Sequence, residues 1–191
     1  MKKILFTAVL FAVGICLYAQ GLSWDIKFLK GRGQESVPIS QIIRMETGEE
    51  FRFSILPNAN AFCYIVYYGS QREVIVLHDQ QLILNTEVSF GPFKLSEPSG
   101  TETIYVILST ERQANIESLA RTLKLNPDSR QHGNNLYREV VNLQNSVSRL
   151  GEPASTYIPS GGTARSAANT QQHVTRFSGS NLYVRAITIR H

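Results

Sequence analysis

The chain has 191 residues, of which 42% are apolar, and a formal net charge of +4. This length and apolar content are enough for one hydrophobic core with a small appendage. Lys2 and Lys3 belong to an N-terminal stretch that we expect to be removed, after which 17 basic residues face 15 acidic ones and the charge is +2. So small an excess gives no support to a nucleic-acid partner, and we predict none.

Residues 1–20 have the pattern of a secretory signal peptide. Two lysines precede an unbroken apolar run from Ile4 to Tyr18, and the small residue Ala19 follows. The run has about fifteen residues whereas a membrane span needs about twenty, so we predict a leader that is cleaved after Ala19 or Gln20. The mature chain, residues 21–191, is then expected in the periplasm or cell envelope without a transmembrane span.

The two cysteines bear on this location. Cys16 offers the alternative of a lipoprotein, but the bulky Ile15 stands before it where a small residue is expected, so ordinary cleavage is favoured. Cys63 is then the one cysteine left, and it cannot form an intrachain disulfide. It stands in a strongly apolar stretch, where we expect it to behave as a small buried hydrophobic residue.

The mature chain begins with a predicted half-buried strand. Trp24, Ile26 and Phe28 alternate with polar residues, which is the period of a strand with one buried face. Residues 31–34 (GRGQ) indicate a loop. Residues 37–45 fit either a strand or one helical turn, and the sequence leaves that choice open.

Residues 49–110 carry a dense series of short strands. Phe51, Phe53 and Ile55 alternate with polar residues, and residues 61–68 (AFCYIVYY) are apolar on both faces, as in a central strand. A turn at residues 69–71 leads to residues 72–78, which predicts an antiparallel hairpin.

The second half of this stretch gives weaker strand signals. Strands are predicted at residues 82–84 and 86–90, after a break at residues 79–81, and Gly91-Pro92 is expected at a strand edge or a turn. Residues 101–110 (TETIYVILST) close the unit. Turns at this spacing predict a mainly β fold, an antiparallel β-sandwich or partly open barrel.

Four motifs in this stretch resemble the DUF4384 family, a family of unknown function. They are residues 48–53 (GEEFRF), 61–68 (AFCYIVYY), 73–77 (EVIVL) and 98–104 (PSGTETI), and the resemblance covers roughly residues 46–110. It departs from the family pattern at residues 61–63 and 77–80. The resemblance implies the β-rich fold class and an exported module, and it implies no chemistry.

The periodicity then becomes helical over residues 112–150. Ile116, Leu119 and Leu123 lie at helix spacing until Asn126-Pro127 ends the pattern. A second helix is predicted from residue 134 or 135 to residue 150. Both helices are expected as an excursion from a single β-rich domain, residues 21–191.

The second predicted helix carries an apolar stripe at alternating steps of four and three. Its members are Leu136, Val140, Leu143, Val147 and Leu150. The stripe can pack on the protein's own sheet or form a seam with a partner or a second copy, giving a homo-oligomer. Two heptads are fewer than a coiled coil needs, so packing on the sheet is the favoured interpretation.

The C-terminal region returns to strand pattern. Residues 151–172 are poor in large apolar residues and predict a flexible loop. Residues 182–189 (LYVRAITI) predict a strand, which we expect to return to the sheet beside the Trp24 strand because a lone strand is not stable.

The sequence contains no convincing catalytic or metal-binding pattern. His78-Asp79 is the one pair that suggests a hydrolase base with its carboxylate, but adjacent strand residues point to opposite faces. Gly161-Gly162 lacks the lysine of a phosphate loop, and no cysteine or histidine spacing fits a metal site. We therefore predict no catalytic residue, no metal and no cofactor.

Three tyrosines are the remaining candidates for recognition. Tyr64, Tyr67 and Tyr68 stand in the predicted central strand, and aromatic rings with polar tips serve binding surfaces as well as sheet cores. Core packing is favoured for at least two of them. The prediction is an exported, non-catalytic interaction or scaffolding module of a bacterial cell envelope, with another envelope protein as partner. A structural subunit that self-associates through the helix stripe is the alternative, ahead of a hydrolase.

Overall fold

The computed structural model describes residues 22–32, 35–39, 41–148, 156–159, 173–179 and 181–191. The predicted signal peptide, Cys16 and Gly161-Gly162 lie outside these residues. The described strands and helices, in chain order, are β1 Leu22–Lys30, β2 Glu35–Val37, β3 Ile43–Arg44, β4 Glu50–Pro57, β5 Ala61–Tyr68, β6 Val74–Leu82, β7 Val88–Lys94, β8 Thr101–Ser109, α1 Ala114–Leu125, α2 Arg130–Ser148, β9 Thr156–Pro159, β10 His173–Gly179 and β11 Leu182–Arg190.

The strands form two open sheets. The first has the order β7-β4-β1-β10-β9, with β2 also paired to β1, and the second has the order β3-β11-β8-β5-β6. Neighbouring strands are antiparallel, except that β3 runs parallel to β11. The predicted mainly β sandwich with C-terminal helices and a returning C-terminal strand is confirmed.

The space between the sheets holds the inner core. Strand alternation builds it: Trp24, Ile26 and Phe28 of β1 are at most 1% exposed, while the residues between them are half-buried. Phe53 of β4 stacks on Phe90 of β7 with ring centroids 5.0 Å apart. Cys63 of β5 is fully buried here, and burial raises the pKa of its thiol.

The outer core lies between the second sheet and the two helices. Ile116, Ala120 and Leu123 of α1 and Leu136 and Val140 of α2 are buried against the outward-facing residues of the sheet. The second sheet is therefore covered on both faces, which explains why β5 is apolar throughout. Neither helix in the described part of the chain is long and apolar enough to cross a membrane.

The predicted position of the last strand is wrong. β11 pairs with β8 of the second sheet over nine residues. The strand beside β1, on the side opposite β4, is β10, which the sequence did not indicate. β10 has few large apolar residues, and its alternation is hidden because Thr175 occupies a buried position. Its register on β1 places Arg176 opposite Asp25. The two side chains form a bidentate ion pair, in which Nε donates to Oδ1 at 2.7 Å and Nη2 donates to Oδ2 at 2.8 Å.

The predicted ends of several elements also need correction. Residues 79–81 do not break a strand but belong to β6, because they pair with residues 62–64 of β5. The predicted loop over residues 151–172 contains β9, which pairs with β10. Helix α2 begins at Arg130, four residues before the predicted start, and Gly133 within it packs so closely on Val74 that a Cβ would lie 3.2 Å from the valine Cβ.

Residues 37–45 and Gly91-Pro92 have clear places in the fold. The first contains the end of β2 and the two-residue β3 instead of a helical turn. Gly91 and Pro92 lie in β7, at the edge of the first sheet, where the pairing with β4 is irregular between Phe51 and Phe53. Proline is tolerated there because an edge strand does not need all its N–H groups for pairing.

Candidate binding site

The three tyrosines of β5 are divided between the two cores by strand alternation. Tyr64 is 1% exposed and belongs to the outer core, and Tyr68 packs there too, with its ring stacked on Tyr137 of α2 at 4.1 Å. Tyr67 packs against the inner core. The structure therefore does not bring the three together as one exposed surface.

Tyr64 holds the first turn of α1 on the sheet. Its hydroxyl donates to Glu117 Oε1 at 2.8 Å and accepts from the backbone N–H of Gln113 at 3.0 Å. That N–H precedes the helix and has no acceptor within it, so the tyrosine takes the place of a capping side chain. Burial raises the pKa of the Tyr64 hydroxyl to about 12, so it stays protonated and keeps donating at physiological pH.

The apolar stripe of α2 is used inside the molecule. Leu136 and Val140 are fully buried, Val147 is 9% exposed, and Leu143 packs against the same outer core. Leu150 lies outside the described residues. The favoured interpretation of the stripe is confirmed for the four described members, because they already pack on the protein's own sheet and α1.

His78 and Asp79 lie on opposite faces of the second sheet, as their adjacency on a strand predicted. The His78 ring contacts Phe90 of the inner core edge-on, with ring centroids 5.2 Å apart. Asp79 instead forms an ion pair with Lys124 of α1, with 2.8 Å between Oδ2 and Nζ. Burial lowers the pKa of His78, and its Nε2 has no hydrogen-bond partner. The two side chains therefore do not form the histidine–carboxylate pair that a hydrolytic base needs, and the His78 Nε2 is buried.

A buried polar cluster at one end of the inner core was not indicated by the sequence. His191 Nε2 lies 3.1 Å from Glu102 Oε1, and His191 Nδ1 lies 3.1 Å from Thr47 Oγ1. Tyr67 hydrogen-bonds to Glu102, and burial together with that carboxylate raises the pKa of the tyrosine hydroxyl. These residues are up to 144 positions apart, so no local spacing could have revealed the cluster.

This cluster resembles a catalytic arrangement only in its residue types. The side chains of His191 and Glu102 are 0% and 5% exposed, so a substrate has no access to the atoms that would react. Within the described residues, no group of three or more histidine, cysteine, aspartate or glutamate side chains can hold a metal ion. The cluster satisfies buried polar groups where the sheet ends, which is a structural role.

The edge of β6 is a free strand edge in the described part of the chain. β6 ends the second sheet, and eight of its nine residues pair with β5 alone. Unlike β7, which carries Pro92 and Lys94, β6 contains no proline, lysine or arginine. Natural proteins protect long edges with such residues, with other charges and with β-bulges, so residues 74–76, which contain neither a charge nor a bulge, are the part of β6 suited to pairing with another strand.

Exposed apolar side chains accompany this edge. Ile75 near its start is 48% exposed, and Ile83 and Leu84, which follow its end, are 64% and 47% exposed. The pairing of β6 with β5 is irregular at Ile65/Val66, and this irregularity lets both Leu77 and His78 contact the inner core. The edge is thus divided into a segment at residues 74–76 and a segment at residues 78–82.

A groove opens beside the first of these segments, and we call it the β6 groove. It has a volume of about 610 Å³ and lies between residues 71–75 and the connection from α1 to α2. Leu123, Pro127 and Gly133 give it an apolar part, while Arg72, Glu73, Asp128 and Arg130 place charges of both signs around it. A strand edge beside an apolar groove is the geometry by which sheets bind extended peptides.

Compared with known protein families, curated proteins and solved structures, the chain matches none. The resemblance of residues 46–110 to the DUF4384 family therefore stays a prediction.

Proposed function

We propose that this protein is an exported, non-catalytic interaction module of a bacterial cell envelope, which binds an extended segment of another envelope protein along β6. The observation that carries the proposal is the free edge of β6, whose first segment, residues 74–76, carries the exposed Ile75 and adjoins the β6 groove. Backbone hydrogen bonds to the edge would provide affinity, and the groove would select the side chains of the partner.

The competing functions have less support. Self-association through the α2 stripe would require Leu136 and Val140 to leave the outer core, where they are fully buried. A hydrolase would require His78 and Asp79 on one face of the sheet. The export part of the proposal rests on the sequence pattern of residues 1–20 alone.

Affinity capture from bacterial envelopes tests the proposal. The mature chain, residues 21–191, is used as bait beside an Ile75→Lys variant, in which the new charge would face an incoming strand. Ser89→Lys is the control, because Ser89 is exposed on β7, the edge strand of the first sheet, and does not line the β6 groove. Mass spectrometry and a sizing run then give the identity and stoichiometry of what is recovered.

The expected result is a partner in fixed stoichiometry that wild type and Ser89→Lys retain and Ile75→Lys loses. Equal recovery by all three proteins, or a lone monomer in every case, would overturn recognition at β6.

A further inference from the structure

The edge of β11 forms a second groove, on the opposite side of the second sheet from β6. On one side β11 pairs with β8 along its whole length, whereas on the other side β3 pairs only with Ile189 and Arg190. Within the described residues, positions 184–188 therefore have no strand neighbour along the outer edge.

This β11 groove has a volume of about 350 Å³ and walls of three kinds. Ile39, Gln41 and Ile42 come from the connection between β2 and β3, residues 184–186 and Thr188 come from β11, and Gln144 comes from α2. A strand edge and a helix thus flank the same cavity. An extended peptide in it would reach unpaired backbone groups of β11 and apolar side chains on both sides.

Arg185 gives the β11 groove its charge. Its guanidinium lies 5.6 Å from the centroid of the Phe177 ring and donates one long hydrogen bond, Nη2 to the carbonyl oxygen of Ile39 at 3.4 Å. Its Nε is buried without an acceptor. Among the described residues, no carboxylate forms an ion pair with Arg185. Arg176 in the first sheet, by contrast, forms a bidentate ion pair with Asp25.

The hydrogen-bond donors of Arg185 are only partly used, since Nη2 donates one long hydrogen bond and Nε has no acceptor. A half-buried guanidinium loses part of its hydration, and a buried donor without an acceptor costs free energy. The planar guanidinium binds a carboxylate best through two parallel hydrogen bonds. A ligand that brings a carboxylate into the β11 groove would supply acceptors to the part of the guanidinium that lines the groove.

We propose that the β11 groove binds an extended segment of a partner protein that carries a carboxylate, with the carboxylate on Arg185 and the peptide backbone along residues 184–188. Apolar residues on either side of the acidic one would pack on Ile42 and Ala186. This site is separate from β6, and it can exist whether or not the β6 groove has a partner.

Titration calorimetry with residues 21–191 tests the site with two defined peptides. The first is a blocked octapeptide of alternating valine and threonine with one central glutamate and two terminal lysines for solubility. The second replaces the glutamate by glutamine. We expect wild type to bind the glutamate peptide at least about tenfold more tightly, because a charge-assisted pair of hydrogen bonds is lost with glutamine.

Two variants assign that preference to its residue. Arg185→Gln should bind both peptides with affinities within about twofold of each other, as expected when the charged donor is gone. Arg190→Gln is the matched control, because it removes the same charge from an exposed position of the same strand. Equal affinity of wild type for the two peptides, absence of binding, or an equal loss in Arg190→Gln would overturn the proposal.

Nuclear magnetic resonance on wild type keeps the test valid if Arg185→Gln does not fold. The glutamate peptide should shift the Arg185 Nε–H signal and the backbone amides of residues 184–188, and the glutamine peptide should leave the Nε–H signal in place. Shifts confined to residues 74–82 would place the peptide on β6, which would refute the β11 site while supporting β6.

Discussion

The two faces of the second sheet are packed by different means. On the inner face, apart from the Glu102–His191 cluster at one end, aromatic and aliphatic side chains meet those of the first sheet, and the indole N–H of Trp24 has no hydrogen-bond partner. On the outer face, tyrosine hydroxyls and charged groups tie the sheet to the helices, as in the Tyr64–Glu117 hydrogen bond and the Asp79–Lys124 ion pair. The comparison teaches that apolar packing joins the sheets, whereas α1 is also positioned by polar contacts at both of its ends.

The chain offers a separate probe for each core. Trp24, the one tryptophan of the sequence, reports on the inner core by its fluorescence, and helical ellipticity at 222 nm reports on α1 and α2. If the two cores unfold together, both signals change at the same denaturant concentration. If the helices leave first, the ellipticity changes before the fluorescence.

The largest effect is expected from Phe53→Ala in the inner core. Phe53 is fully buried and stacks on Phe90, so its truncation should lower the free energy of unfolding by about 3–5 kcal/mol. Both probes should shift together in urea titrations, since this core joins the sheets. Arg52→Ala, at the exposed neighbouring position, is the control. A loss below about 1 kcal/mol for Phe53→Ala would show that the inner core is not the main source of the free energy of unfolding.

A smaller loss, about 2 kcal/mol, is expected from Leu143→Asp in the outer core. The change removes apolar packing and places a charge against the sheet-facing side of α2. Ellipticity should respond more than Trp24 fluorescence, and the sizing profile should stay unchanged. The exposed Asn142→Asp controls for the charge, and unaltered stability with a change in association state would restore the seam interpretation of the stripe.

Removal of one hydroxyl by Tyr64→Phe should cost about 1–2 kcal/mol. The ring remains, but the Gln113 N–H and the Glu117 carboxylate lose their shared partner at the start of α1. Hydrogen exchange of the first turn of α1 should accelerate, while exchange of β1 does not. Tyr68→Phe keeps its stack on Tyr137 and serves as the comparison; equal effects of the two variants would argue against a capping role.

The smallest effect is a pH dependence that His78 contributes. Burial lowers its folded-state pKa below the ordinary 6.5, so the unfolded chain binds a proton first as pH falls. The contribution of the neutral His78 ring to the free energy of unfolding is complete above about pH 6.5 and is lost progressively below it. His78→Phe should reduce the loss of stability between pH 7.5 and 5.5, measured by urea unfolding, whereas Gln81→Ala on the same strand should not.

The sequence predicts what local alternation controls. The β1 strand, the β5–β6 hairpin, the sandwich class and the two helices follow from periodicity and turn residues, because each pattern lies within about ten residues. β10 and the position of β11 could not be predicted in this way. Their pairing depends on contacts such as Arg176 with Asp25, which join residues 151 positions apart.

The candidate sites were harder to predict for the same reason. The tyrosines and the α2 stripe attract attention in the sequence because they are apolar and regular, and these properties are the ones that placed them in the cores. No local sequence pattern marks β6 and β11 as strands with a free edge. They exist because of which strand ends a sheet, and strand order is decided by the whole chain.

The burial of Cys63 has a practical consequence in an oxidising compartment. A thiol between two sheets cannot meet a second thiol, so two copies of the folded chain will not become cross-linked through it. Once the sheets separate, the same group becomes reactive. In residues 21–191, where Cys63 is the one cysteine, the rate at which a thiol reagent labels the native protein therefore measures how often the sandwich opens, without any added probe.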